Sequence, residues 1–425
     1  MNLENENLKN VFSGVIGNAF EWYDFALFGA FASTLSQLFF PESTSQVAML
    51  KIYGIFAAGF IMRPLGSLVL GYIGDKKGRK TTLLLSILLM AIPTICIGML
   101  PAYYQIGALA PYFLILTRLI QGFAMGGEYG SSMVFLFEHA PQKQKGFYSS
   151  WVDVGCLVGV LLGTLAGWGT NTFLNQSSYL SWGWRLPFIA SIGLAILALY
   201  FRHNLEETNT FKEFVSESSS AFSFKKFNSY IIPVISVVFV YAFGNVCFYI
   251  FLVFIPNYFI QEHTVSSGTS LLVTSAMSAL IAIVIPFGGY LSDKYGRQKL
   301  LSVSIIVASL LTYPLFLTMS LSHLQLNLLS QIFFALALGT FYGGEAAFFA
   351  QTFPPQVRCR GVSLVLSFSN IFFGGISPLL ATWIVQEFRE IKFVGLMITF
   401  VGLLALWGLL KTSPQKLDKW SLKYN

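Results

Sequence analysis

The chain has 425 residues, of which 55% are hydrophobic and only 11% charged, with a mean hydropathy of +0.66. Soluble domains carry about a quarter charged residues, so this composition sets aside a soluble enzyme and points to a membrane protein with many spans. The net charge of +7 raises nucleic acid as a partner, but the basic residues are spread among short loops rather than gathered into a patch, and they set orientation instead.

Twelve apolar runs are long enough to cross about 30 Å of hydrocarbon, which takes roughly 20 residues each. They lie near 11–38, 50–73, 81–99, 111–136, 146–170, 184–202, 230–259, 269–291, 300–320, 325–351, 361–386 and 392–411. None alternates as the strands of a β-barrel do. The expected fold class is therefore an all-α membrane protein with twelve transmembrane helices. The N-terminal segment MNLENENLKN has no basic region and no small-residue cleavage site, so no signal peptide is expected. Most of the 26 Lys and Arg fall in loops that share one side if the N-terminus is inside. The positive-inside rule then puts both termini in the cytoplasm.

The first run contains NAFEWYDFALF (18–28), with Glu21 and Asp24 three residues apart on one helical face. Arg63 lies in the second run, Arg118 and Glu128 in the fourth, Asp153 in the fifth and Glu345 in the tenth. A charge inside a bilayer costs a few kcal/mol even on the lenient scale, so each is a functional candidate. At about 1.5 Å per residue, Glu21, Asp24, Arg63 and Glu128 can occupy one layer. The proton-coupling candidates are Asp24, Glu128 and Glu21, with Asp24 or Glu128 carrying the proton and Arg63 pairing with Glu21. Arg118 would tune that site or meet a substrate carboxylate. A purely structural ion-pair network is the competing reading, and Asp153 is read as structural.

The long polar stretch HNLEETNTFKEFVSESSSAFSFKKFNS (203–229) divides the runs six to six. The expected organisation is a bundle over 1–203, a cytoplasmic linker over 204–229 and a bundle over 230–425 with a short tail. Each half repeats a loop, GYIGDKKGRK (71–80) and GYLSDKYGRQK (289–299), and later a GGE, at 126–128 and 343–345. Internal repeats of this kind mark secondary transporters. Gly71, Asp75, Gly78 and Arg79, with Gly289, Asp293, Gly296 and Arg297, are read as gating loops that form a charge latch between the bundles: glycines for tight turns, and carboxylates at helix ends where they can meet a helix N-terminus or an arginine; a plain turn carrying topology charges is the competing reading. Arg202 is expected on the inner surface, in a salt-bridge cluster with Glu206 and Glu207.

The second half has only Glu345 as a counterpart to Glu128, with no matching arginine. It is read as the side supplying substrate contacts. The candidates are Tyr241, Asn245 and Tyr249 on one face of the seventh run, Tyr342 and Glu345 on the tenth, and Trp22 and Trp151 from the first half. Aromatic faces can hold a quaternary ammonium by cation–π contact; packing alone is the plainer reading. Cys96, Cys156, Cys247 and Cys359 are scattered, with Cys359 in a loop, and no spacing implies a metal or a disulfide. No histidine falls mid-run, and no phosphate-binding GxxxxGK[ST] loop occurs. No cofactor is expected.

The loop GxxxDxxGR(K) in both halves resembles the signature of the major facilitator superfamily. GNAFEWYDFALFG (17–29), RPLGSLVLGYIGDKKGRK (63–80), QGFAMGGEYG (121–130), FEHAPQKQKG (137–146), WGWRLPF (182–188) and RHNLEETNTF (202–211) together resemble its metabolite:proton symporter branch, and within that the bacterial proline/betaine transporter group. The resemblance implies two pseudo-symmetric six-helix bundles, with the first, fourth, seventh and tenth helices lining a central cavity. That places Asp24, Glu128 and Glu345 beside the substrate path. It implies a monomer in the bacterial inner membrane, with lipid, protons and a small metabolite as partners and no nucleic acid. The expected function is proton-coupled import of a zwitterionic osmolyte such as proline or betaine, or of an organic acid, by alternating access. The alternatives are a proton-driven exporter of the same fold and a non-transporting sensor. Osmosensing members carry a long C-terminal coiled coil; here the sequence continues fourteen residues past Lys411 without heptads, so the resemblance does not extend to osmotic gating.

Overall fold

The computed structural model describes residues 3–208, 210–212, 231–261, 266–319 and 324–412. Among them there is no strand. Twelve long helices follow one another: α1 Leu3–Ala30, α2 Ser45–Lys77, α3 Arg79–Met99, α4 Leu109–His139, α5 Lys145–Phe173 and α6 Arg185–His203, then α7 Ile231–Phe259, α8 Ser267–Tyr295, α9 Arg297–Met319, α10 Leu324–Thr352, α11 Pro355–Phe388 and α12 Lys392–Lys411. In hydrocarbon a backbone must satisfy its own N–H and C=O groups, and helices do so within each span. Most of the expected linker, the C-terminal tail, His263 and His323 lie outside the described residues.

Eleven of these helices are long and apolar enough to cross a membrane. The twelfth expected span, α1, falls short of that measure, because Asn18, Glu21 and Asp24 sit in its middle. It is nevertheless a continuous helix, and those three side chains are buried by its neighbours rather than turned to lipid.

The first six helices form one bundle and the last six another. Within the first, α1 packs on α5 and α6, while α2 and α3 pack on α4. Gly155 and Gly159 of α5 sit against the α1 backbone, and Gly122 and Gly126 of α4 against that of α2. Such small residues let helix backbones approach closely in a membrane. Within the second bundle, α8 packs on α10, and α9 and α7 on α12. The bundles meet along two seams, α5 against α8 and α2 against α11. The tight turns expected of the repeated loops are formed by Gly78 and Gly296, with φ of 105° and 94°. Side chains other than glycine strain in that region.

Candidate functional site

Two carboxylates latch the bundles together at one face. Asp75, at the end of α2, accepts hydrogen bonds from the backbone N–H of Cys359 (3.1 Å) and Arg360 (3.2 Å) at the start of α11. Asp293, at the end of α8, accepts from Gly146 (2.7 Å) and Phe147 (2.9 Å) at the start of α5. The first N–H groups of a helix have no partner within it and carry its positive dipole end, so each acid caps a helix of the opposite bundle. The approach needs glycine. A Cβ on Gly71 would stand 2.7 Å from Arg360 Cα, and one on Gly289 2.8 Å from the Gly146 carbonyl. Cys359, expected in a loop, is fully buried at this helix start.

The arginines of the repeated loops brace the latches differently. Arg79 donates to Glu138 (3.1 and 3.2 Å) and to the Pro355 carbonyl (2.9 Å) across the seam. Arg358 of α11 reaches the same Glu138 at 2.8 Å. Its counterpart Arg297 meets the uncharged Gln351 and, at 3.7 Å, Asp293. Glu207 accepts from the backbone N–H of Arg79 (3.0 Å) and Lys80 (3.1 Å), capping α3, while Glu206 makes only an exposed pair with Lys212.

Deeper in the first bundle, two acids are fully engaged. Asp24 receives Arg118 (2.6 Å), Gln121 (2.9 Å) and Thr94 (2.9 Å). The Arg118 guanidinium also lies 3.8 Å over the Phe28 ring. Glu128 is gripped by Arg202 through both oxygens and also receives Ser86 and Ser132. The expected surface position of Arg202 is thus corrected. α6 runs to His203, so Arg202 is still inside the bundle and fully buried. Its guanidinium occupies the space left by the missing side chain of Gly17 on α1.

The expected pair of Arg63 and Glu21 is not formed. Arg63 lies with its guanidinium 4.4 Å over the Phe60 ring and reaches Met125 Sδ at 3.4 Å, and its Nε has no partner. Glu21 Oε2 likewise has none. Sharing a depth does not settle rotation about the helix axis, and the ring of Phe60, on the same helix, takes the arginine. Both residues instead line a narrow cavity between the bundles. Trp22, Tyr129 and Tyr241 close its sides, and Ser367 and Asn370 of α11 face it from the second bundle. Further along α1 and α2, away from the latches, Phe25, Phe56, Phe60 and Tyr249 pack ring to ring, and Trp22 meets Phe248 at 4.8 Å. The cavity therefore lies between an aromatic layer and a latched face.

The same fold recurs in known proteins. Residues 11–221 match the family model described as sugar (and other) transporter, and residues 234–423 that of the Major Facilitator Superfamily. The proline/betaine transporter of Escherichia coli K12 is 31% identical over 409 residues, covering 94% of this chain and 82% of that one. The chain belongs to the major facilitator superfamily. It is similar also to the glycine betaine/proline/ectoine/pipecolic acid transporter of Dickeya dadantii (31%, covering 93% and 82%) and to the citrate-proton symporter of Klebsiella pneumoniae (31%, covering 93% and 89%). A solved proton:xylose symporter bound to 6-bromo-6-deoxy-D-glucose has the same fold, with a TM-score of 0.80 at 16% identity and 97% of both chains covered. The protein is a membrane transporter and not an enzyme.

The remaining substrate candidates of the transporter, Tyr249, Asn245, Tyr342, Glu345 and Trp151, lie outside the lining of this cavity. Tyr342 donates to the Gly244 carbonyl at 2.9 Å, and Glu345 lies against Gly244 with Oε2 unpartnered. Asn245 is buried with Nδ2 unpartnered. Trp151 is half-buried against Phe147 and does not line the cavity. Asp153 accepts from the Tyr129 hydroxyl at 2.5 Å. Sequence reasoning misplaced Arg202 and missed Tyr129, Ser367 and Asn370. Arg202 had a signal, a lone base closing an apolar run opposite a glycine-bearing helix face; the other three are ordinary polar residues in their runs.

Proposed function

We propose that this transporter imports a small zwitterionic osmolyte of the proline or betaine kind together with a proton, across the bacterial cytoplasmic membrane, with both termini inside. The bundles, 1–203 and 230–425, would rock about the linker 204–229 as the two latches close and open. The observation that carries the reading is the cavity between them. Its walls hold one arginine and one carboxylate that are not paired with each other, and an aromatic rim. That is the complement of a molecule bearing both charges, and the similar proteins that transport betaine and proline support it.

Among the proton-coupling candidates, Glu21 fits best. Asp24 and Glu128 are each held by an arginine and by further donors, whereas Glu21 faces the cavity with a free oxygen. A carboxylate with no cation in contact is the one a proton neutralises at least cost to the surrounding structure. The test is uptake of labelled glycine betaine into proteoliposomes with an inward proton gradient. Accumulation above the external concentration, abolished by a protonophore, is expected. Accumulation that ignores the gradient would refute symport, and efflux driven by the gradient would make the protein an exporter.

A further inference from the structure

We infer that Arg63 is the anchor for the substrate's carboxylate, and that a proton on Glu21 is what makes it available. The inference rests on the reading of the cavity as the substrate site and adds which group recognises which end of the substrate.

Among the described residues, three arginines are buried in the membrane interior, and two of them are answered. Arg118 has Asp24 and Arg202 has Glu128. Arg63 is 5% exposed and has no carboxylate within 4 Å. It touches only a thioether and an aromatic face, and its Nε is unpartnered. A buried guanidinium with no counter-charge is costly, and a transmembrane charge that persists is a functional one by default. Its planar fork of N–H donors matches a carboxylate, two bonds to two oxygens. It borders the cavity between the bundles, from which such a group would approach it. From the other bundle Asn370 and Ser367 face the same space. The substrate's ammonium end would then lie toward the rings of Trp22 and Tyr241, where a cation–π contact suits a bulky, weakly hydrated cation.

The proton enters through Glu21. The charged and titratable groups around it are Asp24 on α1, Arg63 on α2, Glu128 on α4, Cys156 on α5, Arg202 on α6 and Tyr249 on α7. Asp24 and Glu128 are already neutralised by their arginines, which leaves Glu21 and Arg63 facing one cavity as the open pair. While Glu21 is ionised, its charge offsets that of Arg63 across the cavity. When water from the open side delivers a proton to Glu21, Arg63 becomes an uncompensated cation in a low-dielectric site and draws in a carboxylate. By linkage the bound carboxylate raises the affinity for the proton by the same factor. Proton and substrate then load together, as symport requires, and betaine affinity rises as pH falls.

The test uses the full chain in detergent or proteoliposomes, with glycine betaine as one probe and choline, which keeps the quaternary ammonium and lacks the carboxylate, as the other. Wild type should prefer betaine. Arg63→Gln should weaken betaine by roughly 10- to 150-fold, the scale of lost charge-assisted hydrogen bonds, without weakening choline, and so collapse the ratio. Arg63→Lys should restore part of it. Asn370→Asp, which sets a negative charge in the same cavity, should weaken betaine at least about tenfold without weakening choline, and serves if Arg63→Gln folds poorly. An unchanged betaine-to-choline ratio in a variant that melts like wild type would overturn the inference while leaving the transport reading intact. If wild type binds citrate and not betaine, the zwitterion reading fails, and the Arg63 assignment then requires Arg63→Gln to weaken citrate.

Discussion

The two bundles share a plan and differ in their buried charges. The first holds two acids locked to arginines, Asp24 with Arg118 and Glu128 with Arg202, inside a frame of serine, threonine and glutamine donors. The second, in its described helices, has Glu345 as its deep acid, and no cation lies within 4 Å of it. The latches differ in the same sense. Glu138 binds Arg79 and Arg358 together, while the corresponding Gln351 offers Arg297 no charge. Both halves keep the device that joins them, an acid capping the opposite helix. The first half alone holds such an ionic frame, and Arg63 and Glu21 stand outside it with no opposite charge within 4 Å among the described residues.

The largest effect should come from breaking that frame. Arg202→Gln leaves Glu128 buried without a cation, and such changes cost about 3–5 kcal/mol. The variant should melt well below wild type in detergent, followed by tryptophan fluorescence. Replacing both partners by apolar residues should recover much of the loss. A single variant that melts like wild type would mean that the pair contributes nothing to the frame.

An intermediate effect is expected at the latches. Asp75→Asn removes a charge from two backbone N–H groups and Arg360, and Asp293→Asn removes one from two N–H groups and Arg297. Each contact is worth about 1–2 kcal/mol, so the opened population should rise roughly 5- to 30-fold. Cys359, buried under the first latch, reports this through its rate of maleimide modification when the other three cysteines are serine. Both variants should speed it, Asp75→Asn more. A rate insensitive to both would show that the capping contacts do not hold the face shut.

The smallest effect tests the asymmetry itself. Gln351→Glu gives Arg297 a carboxylate, as Glu138 gives Arg79. The gain should be under about 1 kcal/mol, because Arg297 is partly exposed. Cys359 modification should slow by a few-fold at most. Faster modification would contradict the equivalence of the two sites.

Much of this architecture was legible because membrane spans and duplicated loops leave strong marks. Asp75 and Asp293 were found through the repeat, as were the glycines with positive φ. A latch between the bundles, with a helix N-terminus as one possible partner, was expected of them; which helix supplies it was not legible, because sequence offset gives symmetry within a chain and not the partner across a seam. Arg202 was misplaced for a related reason: an arginine ending an apolar run reads as a surface residue, and only the gap at Gly17 admits it to the interior. The Arg63–Glu21 pair was inferred from depth, but contact also needs matching rotation, and the ring of Phe60 decides that. α1 shows the converse. Its acids lower its hydropathy as a span, and the same acids are the ones proposed to serve transport.

The most direct test of the account is Glu21→Gln in proteoliposomes loaded for counterflow and, separately, exposed to an inward proton gradient. Counterflow of glycine betaine should continue, since exchange needs the site but no net proton movement, while accumulation driven by the gradient should disappear. Asp24→Asn and Glu128→Gln, made alongside, should lose stability before they lose coupling. Full gradient-driven accumulation by Glu21→Gln would contradict the assignment of the proton to Glu21 and return it to Asp24 or Glu128.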